Sequence, residues 1–203
     1  MSLLDYVHAI FGQLRQMQAQ SVLMIGCAGG SLATMLSRVG CSVVAIDVNA
    51  QAFVLARRYF GLPTEVECRV ADGFDYVLTT RRKFDAIVVD AFHGGRVASK
   101  LLSEAFFAQA AKRLQAYGVI FVNVHVKSDS DSTVDRVACC ISATSPNVLI
   151  LDRPGTKYRN AIVASGAVRE LKRPVLLMPP AIEAAKLAKA LGAMQFVSRR
   201  VRK

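Results

Sequence analysis

Three aspartates stand where runs of strand-forming residues end: Asp47 after residues 43–46, Asp72 after residues 65–71, and Asp90 after the nearly all-apolar residues 84–89. An acid at a strand tip can accept hydrogen bonds from a ribose diol, hold a cation, or take a proton from a nucleophile. Upstream of all three lies Ser21 to Asp47, SVLMIGCAGGSLATMLSRVGCSVVAID, which reads as strand, glycine turn, helix and second strand. Glycines there let the chain turn tightly and approach a ligand whose polar groups face the unpaired N–H groups opening the helix. Asp47 follows Gly26 by 21 residues, within the spacing of a ribose contact in nucleotide-binding βαβ units. In an open parallel sheet, ligands sit beyond the carboxyl ends of the strands, so the three carboxylates are predicted to converge on the pocket beside Gly26, Gly29 and Gly30. Glycine turns also occur for purely steric reasons, and Asp72 taken alone fits a helix cap equally well.

The elements that must position these groups follow from periodicity. Leu3, Leu4, Val7, Ile10, Phe11 and Leu14 recur at helical spacing, predicting a helix over 3–17 that packs on the sheet edge, with His8 at its surface. Helices are expected over 31–39, 52–60, 74–80, 101–114, 132–143 and 181–191, the last closed by Gly192. Between them fall strands over 22–25, 43–46, 65–71, 84–89, 118–126, 148–151 and 160–165, the final two forming an antiparallel hairpin. Residues 91–99, centred on Phe-His-Gly-Gly, read as a loop over the pocket mouth. The fold class is α/β, Rossmann-like and doubly wound: a mostly parallel seven-stranded sheet with an antiparallel last strand.

Bulk properties narrow the options. With 203 residues, 53% of them hydrophobic, the chain is expected to form one domain over 1–203, with an N-terminal helix over 1–20 and a basic tail over 196–203. No apolar run reaches membrane-spanning length and no leader pattern opens the chain, so a cytoplasmic protein without a membrane partner is expected. Cys27, Cys41, Cys68, Cys139 and Cys140 form no CxxC pair, which argues against disulfides and a metal site and reads as reduced core residues. The net charge of +11 would attract polyanions. Its densest part is the tail Arg199, Arg200, Arg202 and Lys203, and no basic stripe is interleaved with aromatics. Nucleic-acid binding is therefore disfavoured, with the tail as its one candidate locus.

VLMIGCAGGSL, AIDVNAQAFVLARRYFGLP, VADGFDYV and FDAIVVDAF resemble the spermidine synthase-like branch of the class I S-adenosylmethionine-dependent methyltransferase fold, over about residues 22–114. The resemblance implies S-adenosylmethionine or decarboxylated S-adenosylmethionine as cofactor. Gly26, Cys27, Ala28, Gly29 and Gly30 would pass under its amino-acid part, Asp47 with Val48 would hold the ribose, and Asp72 with Gly73 the adenine. Asp90 would border the cofactor and act as catalytic acid–base group, because an ammonium has no lone pair until it is deprotonated. His93 follows three residues later and fits equally a catalytic partner and an exposed loop residue. A homodimer is implied by the resemblance alone.

The chain also departs from that pattern. Gly29 stands where family aminopropyltransferases carry the acid of a Gly-Gly-Gly-Asp-Gly-Gly turn, Ala28 replaces a glycine, and His93 stands where a second acid would be. About 20 residues precede the first strand, too few for the family's tyrosine-bearing β-hairpin domain. The expected function is an S-adenosylmethionine-binding transferase moving a methyl or aminopropyl group to a small acceptor, an amine among the candidates. The alternatives are a polyamine aminopropyltransferase with an abbreviated N-terminus and a non-catalytic nucleoside-binding or regulatory protein. No Asn-Pro-Pro-aromatic or catalytic-cysteine pattern follows the fourth strand, which disfavours a nucleic-acid methyltransferase.

Overall fold

Strands β1 (Ser21–Ile25) and β4 (Phe84–Val89) lie side by side at the centre and are buried almost throughout, because helices cover both of their faces. The computed structural model describes residues 2–93 and 96–197, and of His93, Arg96 and Val97 the backbone only. Beside β1 run β2 (Ser42–Asp47) and β3 (Glu67–Val70), both parallel. Beside β4 runs β7 (Leu114–Val126), parallel, followed by β9 (Arg159–Gly166) and β8 (Val148–Asp152), each antiparallel to the strand before it in space. The sheet order β10-β8-β9-β7-β4-β1-β2-β3 has eight strands, not the seven expected. The extra strand, β10 (Gln195–Phe196), is two residues long and pairs antiparallel with β8, too short to show a period-2 pattern.

Successive strand residues feed opposite faces. Val22, Met24, Ala86 and Val88 pack with helices α1 (Asp5–Gln16), α2 (Ser31–Arg38) and α3 (Ala50–Phe60), and with Leu191 of α7 (Ala184–Gly192). Leu23, Ile25, Ile87 and Val89 pack with α4 (Gly73–Thr79), α5 (Glu104–Lys112) and α6 (Thr133–Ser142).

Several expectations are corrected. Helix α1 does not sit on the sheet edge: it packs against α2, α7 and β9, and every residue from Val7 to Leu14 is buried. His8 is therefore 1% exposed rather than at the surface, its Nε2 lying 2.9 Å from the Ser2 carbonyl. The expected helix over 101–114 is a 3-10 turn over Ser99–Leu102 followed by α5, because Ser103 caps the helix by accepting from the Phe106 N–H. Strand β7 starts at Leu114 rather than at residue 118; between Leu114 and Val119 its register against β4 shifts, and Tyr117 takes a positive φ of 65°. Helix α7 starts at 184, since Glu183 adopts a left-handed φ of 56°. Residues 91–99 contain a two-stranded ribbon, β5 (Phe92–His93) with β6 (Arg96–Val97), where a loop was expected. Of the five cysteines only Cys27 and Cys41 are core residues; all five are unpaired, and Cys139 is exposed. Among the described residues no helix is long and apolar enough to cross a membrane, and no group of three metal-ligating side chains gathers. The basic run Arg199, Arg200, Arg202 and Lys203 lies outside the described residues.

Candidate functional site

Gly26 leaves β1 with φ +98°, and a Cβ built there would meet the Asp90 carbonyl carbon at 2.6 Å and the Ala91 nitrogen at 2.8 Å. The β1 turn and the end of β4 are thus pressed together, with the Asp90 N–H donating to the Ile25 carbonyl at 2.8 Å. A cavity of about 390 Å³ opens over this junction. Of the site residues read from the sequence, Gly26, Ala28, Asp47, Val48, Asp72, Gly73 and Asp90 line it, with apolar walls from Ile25, Ile46 and Leu101. That volume and mixture of apolar surface with a few acceptors suit a small molecule of nucleoside size.

Cys27, Gly29 and Gly30 are not brought into the lining. The Cys27 side chain is 4% exposed and burial pushes its thiol up to about 12, so it is inert as a nucleophile. A Cβ on Gly29 would lie 3.4 Å from the Phe60 ring, and one on Gly30 would lie 2.8 Å from Leu62. Those two glycines give room to the α3 end of the chain. Position 93 lies on β5, and its side chain is outside the described residues.

Each carboxylate is held differently. Asp47 ties the end of β2 to the glycine turn: its Oδ2 accepts from the Cys27 N–H and its Oδ1 from the Asn49 N–H, both at 2.9 Å. Each oxygen keeps a second lone pair for a further donor. Asp72 caps α4, its Oδ1 accepting from the N–H groups of Phe74 (2.8 Å) and Asp75 (3.1 Å), so the capping alternative is realised while the side chain still borders the cavity. Lys100, from the 3-10 turn, reaches Asp72 at 3.3 Å and Asp75 at 3.2 Å. Burial alone would raise the Asp72 pKa, but the Asp75 N–H, the Lys100 ammonium and the Phe74 N–H outweigh it and hold it below the usual carboxylate range.

Asp90 is the contrasting case. Its Oδ1 accepts from Asn123 Nδ2 at 2.7 Å, its Oδ2 from the Tyr6 hydroxyl at 3.2 Å, and Asn123 Oδ1 in turn accepts from Asn160 Nδ2 at 2.9 Å. It keeps partial exposure through the cavity, yet desolvation raises its pKa to about 6 against the opposing pull of the Asn123 and Tyr6 hydrogen bonds. Burial, and then the Asp90 charge, raise the Tyr6 phenol well above its ordinary value, so it stays a proton donor. The arrangement can hold a cation or accept a proton near neutral pH.

Tyr6, Asn123, Asn160 and Lys100 were not found from sequence. Asn123 did carry a signal, as a lone amide inside the apolar run of β7 that is 0% exposed and must be hydrogen-bonded. Tyr6 carried none, since it comes from a helix 84 residues before its partner.

Residues 5–139 match the methyltransferase small domain family. Among curated proteins, the polyamine aminopropyltransferase of Chromobacterium violaceum is 36% identical over 126 residues, 59% of this chain and 48% of that protein. Its counterpart in Neisseria meningitidis serogroup A is 33% identical over 127 residues, with the same coverage. The chain spans about half the length of the curated relatives it matches. Among solved structures, a probable spermidine synthase from Corynebacterium glutamicum superposes with a TM-score of 0.77 at 18% identity, covering 95% of this chain and 74% of that one. Human methyltransferase-like protein 13 in complex with SAH superposes with a TM-score of 0.63 at 20% identity, covering 93% and 87%. At these identities the structural matches speak for the fold: a class I methyltransferase sheet with an antiparallel edge.

Proposed function

The chain belongs to the methyltransferase small domain family, and we propose that it is a spermidine synthase-like transferase that binds S-adenosylmethionine, or its decarboxylated form, and passes a methyl or aminopropyl group to a small acceptor. The observation that carries this reading is a single cavity in which Gly26, Asp47, Asp72 and Asp90 meet. The residues present fit the cofactor: Asp47 offers spare lone pairs to a diol, Gly26 allows close backbone approach, and Ile25, Ile46 and Leu101 give apolar walls to a base. When bound, the cofactor's sulfonium would supply an electrophilic carbon for the acceptor's lone pair, with a neutral thioether as the leaving group.

The chain's own residues do the rest. Asp90, ionised above about pH 6, holds an ammonium acceptor and takes its proton. Asn123 and Tyr6 fix the carboxylate from within the protein, so that its orientation is set before the acceptor arrives. We place this chemistry in the cytoplasm, on a single cofactor-binding unit that pairs as a homodimer.

The relatives named polyamine aminopropyltransferases favour the aminopropyl version. Gly29 and His93, where that pattern has acids, remove negative charge that a diamine would use. Transfer from decarboxylated S-adenosylmethionine to putrescine therefore tests the polyamine version: turnover selects it, and no turnover with cofactor bound rules it out.

Cofactor binding is tested by calorimetry with S-adenosylmethionine and methylthioadenosine on wild type and Asp47→Ala. Losing the diol contact is expected to cost about 1–3 kcal/mol, roughly 5- to 150-fold in affinity. Failure of both proteins to bind either ligand would overturn the reading. Tyr6→Phe probes Asp90 separately. The lost hydroxyl no longer favours the carboxylate, so the acid limb of log kcat/KM should move to higher pH, while the Kd for methylthioadenosine stays within a few fold. An unmoved limb would show that the tyrosine does not tune the base.

A further inference from the structure

A second cavity, about 710 Å³, opens on the other side of the Ser99–Leu102 turn and has no part in the site above. The turn is a shared wall: Lys100 and Leu101 line the first cavity, Ser99 and Leu102 the second. We propose that this second cavity binds a small organic anion, a carboxylate or phosphate ester on an apolar body, and presents it to the transfer cavity as acceptor.

The lining sets the sign of the charge. Lys127, Arg136 and His125 border it with the hydroxyls of Ser128 and Ser130. Asp131 is the one carboxylate among the described lining residues, and it already accepts three hydrogen bonds from the chain itself. Its Oδ2 accepts from the Lys127 N–H at 3.0 Å, and its Oδ1 from the N–H (2.9 Å) and hydroxyl (2.6 Å) of Thr133. An incoming cation thus finds one carboxylate that already accepts three donors, set against the Lys127 and Arg136 cations. An anion finds better partners. Arg136 donates to the neutral Thr133 hydroxyl at 3.2 Å, and a guanidinium fork retains further donors for a carboxylate or phosphate. Leu102, Val137 and Cys140 supply apolar surface for the body of the ligand.

Strand β7 gives the distance. Asn123, which holds Asp90, precedes Lys127, the first residue past the end of β7, by four residues, so about 13 Å of extended chain separates the two positions. An acceptor of several bonds could keep its anionic end at Lys127 and Arg136 while its nucleophile reaches Asp90. The acceptor role rests on the transfer reading above; the anion site does not.

The test is calorimetry of the full chain with hexanoate, hexyl phosphate and hexylammonium, repeated on Lys127→Met/Arg136→Met, with methylthioadenosine titrated into both proteins. The expected result is that at least one of the two anions binds wild type, hexylammonium does not, and the double variant loses tenfold or more for the anion while binding the nucleoside unchanged. Which anion binds separates carboxylate from phosphate. Equal or tighter binding of hexylammonium, unchanged anion binding by the double variant, or no binding of either anion at millimolar concentration would overturn the proposal. Anion binding without nucleoside binding would instead strike the transfer reading alone.

Discussion

Asp90→Asn should lower transfer activity by about 10²–10⁴-fold while making the protein more stable at pH 8. The two effects share one cause. The carboxylate sits where desolvation disfavours its charge, which lifts its pKa from the ordinary 3.8 to about 6. Asparagine keeps an acceptor for Asn123 Nδ2 and removes the charge, so it removes the desolvation penalty together with the proton acceptor. Methylthioadenosine affinity should change little, because the ribose and base would meet Asp47 and Asp72. Activity close to wild type in the variant would show that Asp90 is not the base.

The sign of the pH dependence follows from linkage. Asp90 binds its proton more tightly in the folded chain than in the unfolded one, so folding is favoured most when it is protonated, below about pH 4. That contribution is lost as pH rises through about 6, and on the order of 2 kcal/mol separates the two limits after allowance for the side chain's wetted edge. The extra stability of Asp90→Asn over wild type should therefore be absent near pH 4, grow across the window to pH 6, and stay level above it. Denaturant titrations at those pH values measure it. Activity of the wild type runs the other way, rising through the same window as the base ionises.

The sequence made the first half of this site readable and hid the second for a physical reason. Strand-tip acids and a glycine turn are local: Asp47 and Gly26 belong to one βαβ unit, whose geometry is set by short-range chain stiffness. Convergence of Asp72 and Asp90 on the same cavity follows once β1, β2, β3 and β4 run parallel. What periodicity could not give was docking. Helix α1 shows its apolar spacing plainly, but whether it lies at an edge or on a face depends on α2, α7 and β9, elements far along the chain. Its docking brings Tyr6 to Asp90 and buries His8. The two-residue strands β5, β6 and β10 escaped because so short a run carries no period.

Gly26→Ala is expected to cost on the order of 3–5 kcal/mol, a large share of a domain's total stability. Two contributions add. At φ +98° an L side chain is strained whatever space surrounds it, and here the new methyl would also strike the peptide joining Asp90 to Ala91. That peptide cannot yield cheaply, since the Asp90 N–H is bonded to the Ile25 carbonyl and the Gly26 N–H to the Ile46 carbonyl, both at 2.8 Å. Relief would have to spread β1 from β4 at the centre of the sheet, where Ile25 and Val89 stand in register. Gly61→Ala is the matched control: its φ of +66° is also positive, but nothing lies within 4 Å of the added carbon, so only backbone strain of about 1 kcal/mol should appear. Urea midpoints compare the two directly. Equal losses would mean that the contact between the β1 turn and the end of β4 is looser than the structure shows, and with it the spacing between Gly26 and Asp90 on which the transfer geometry depends.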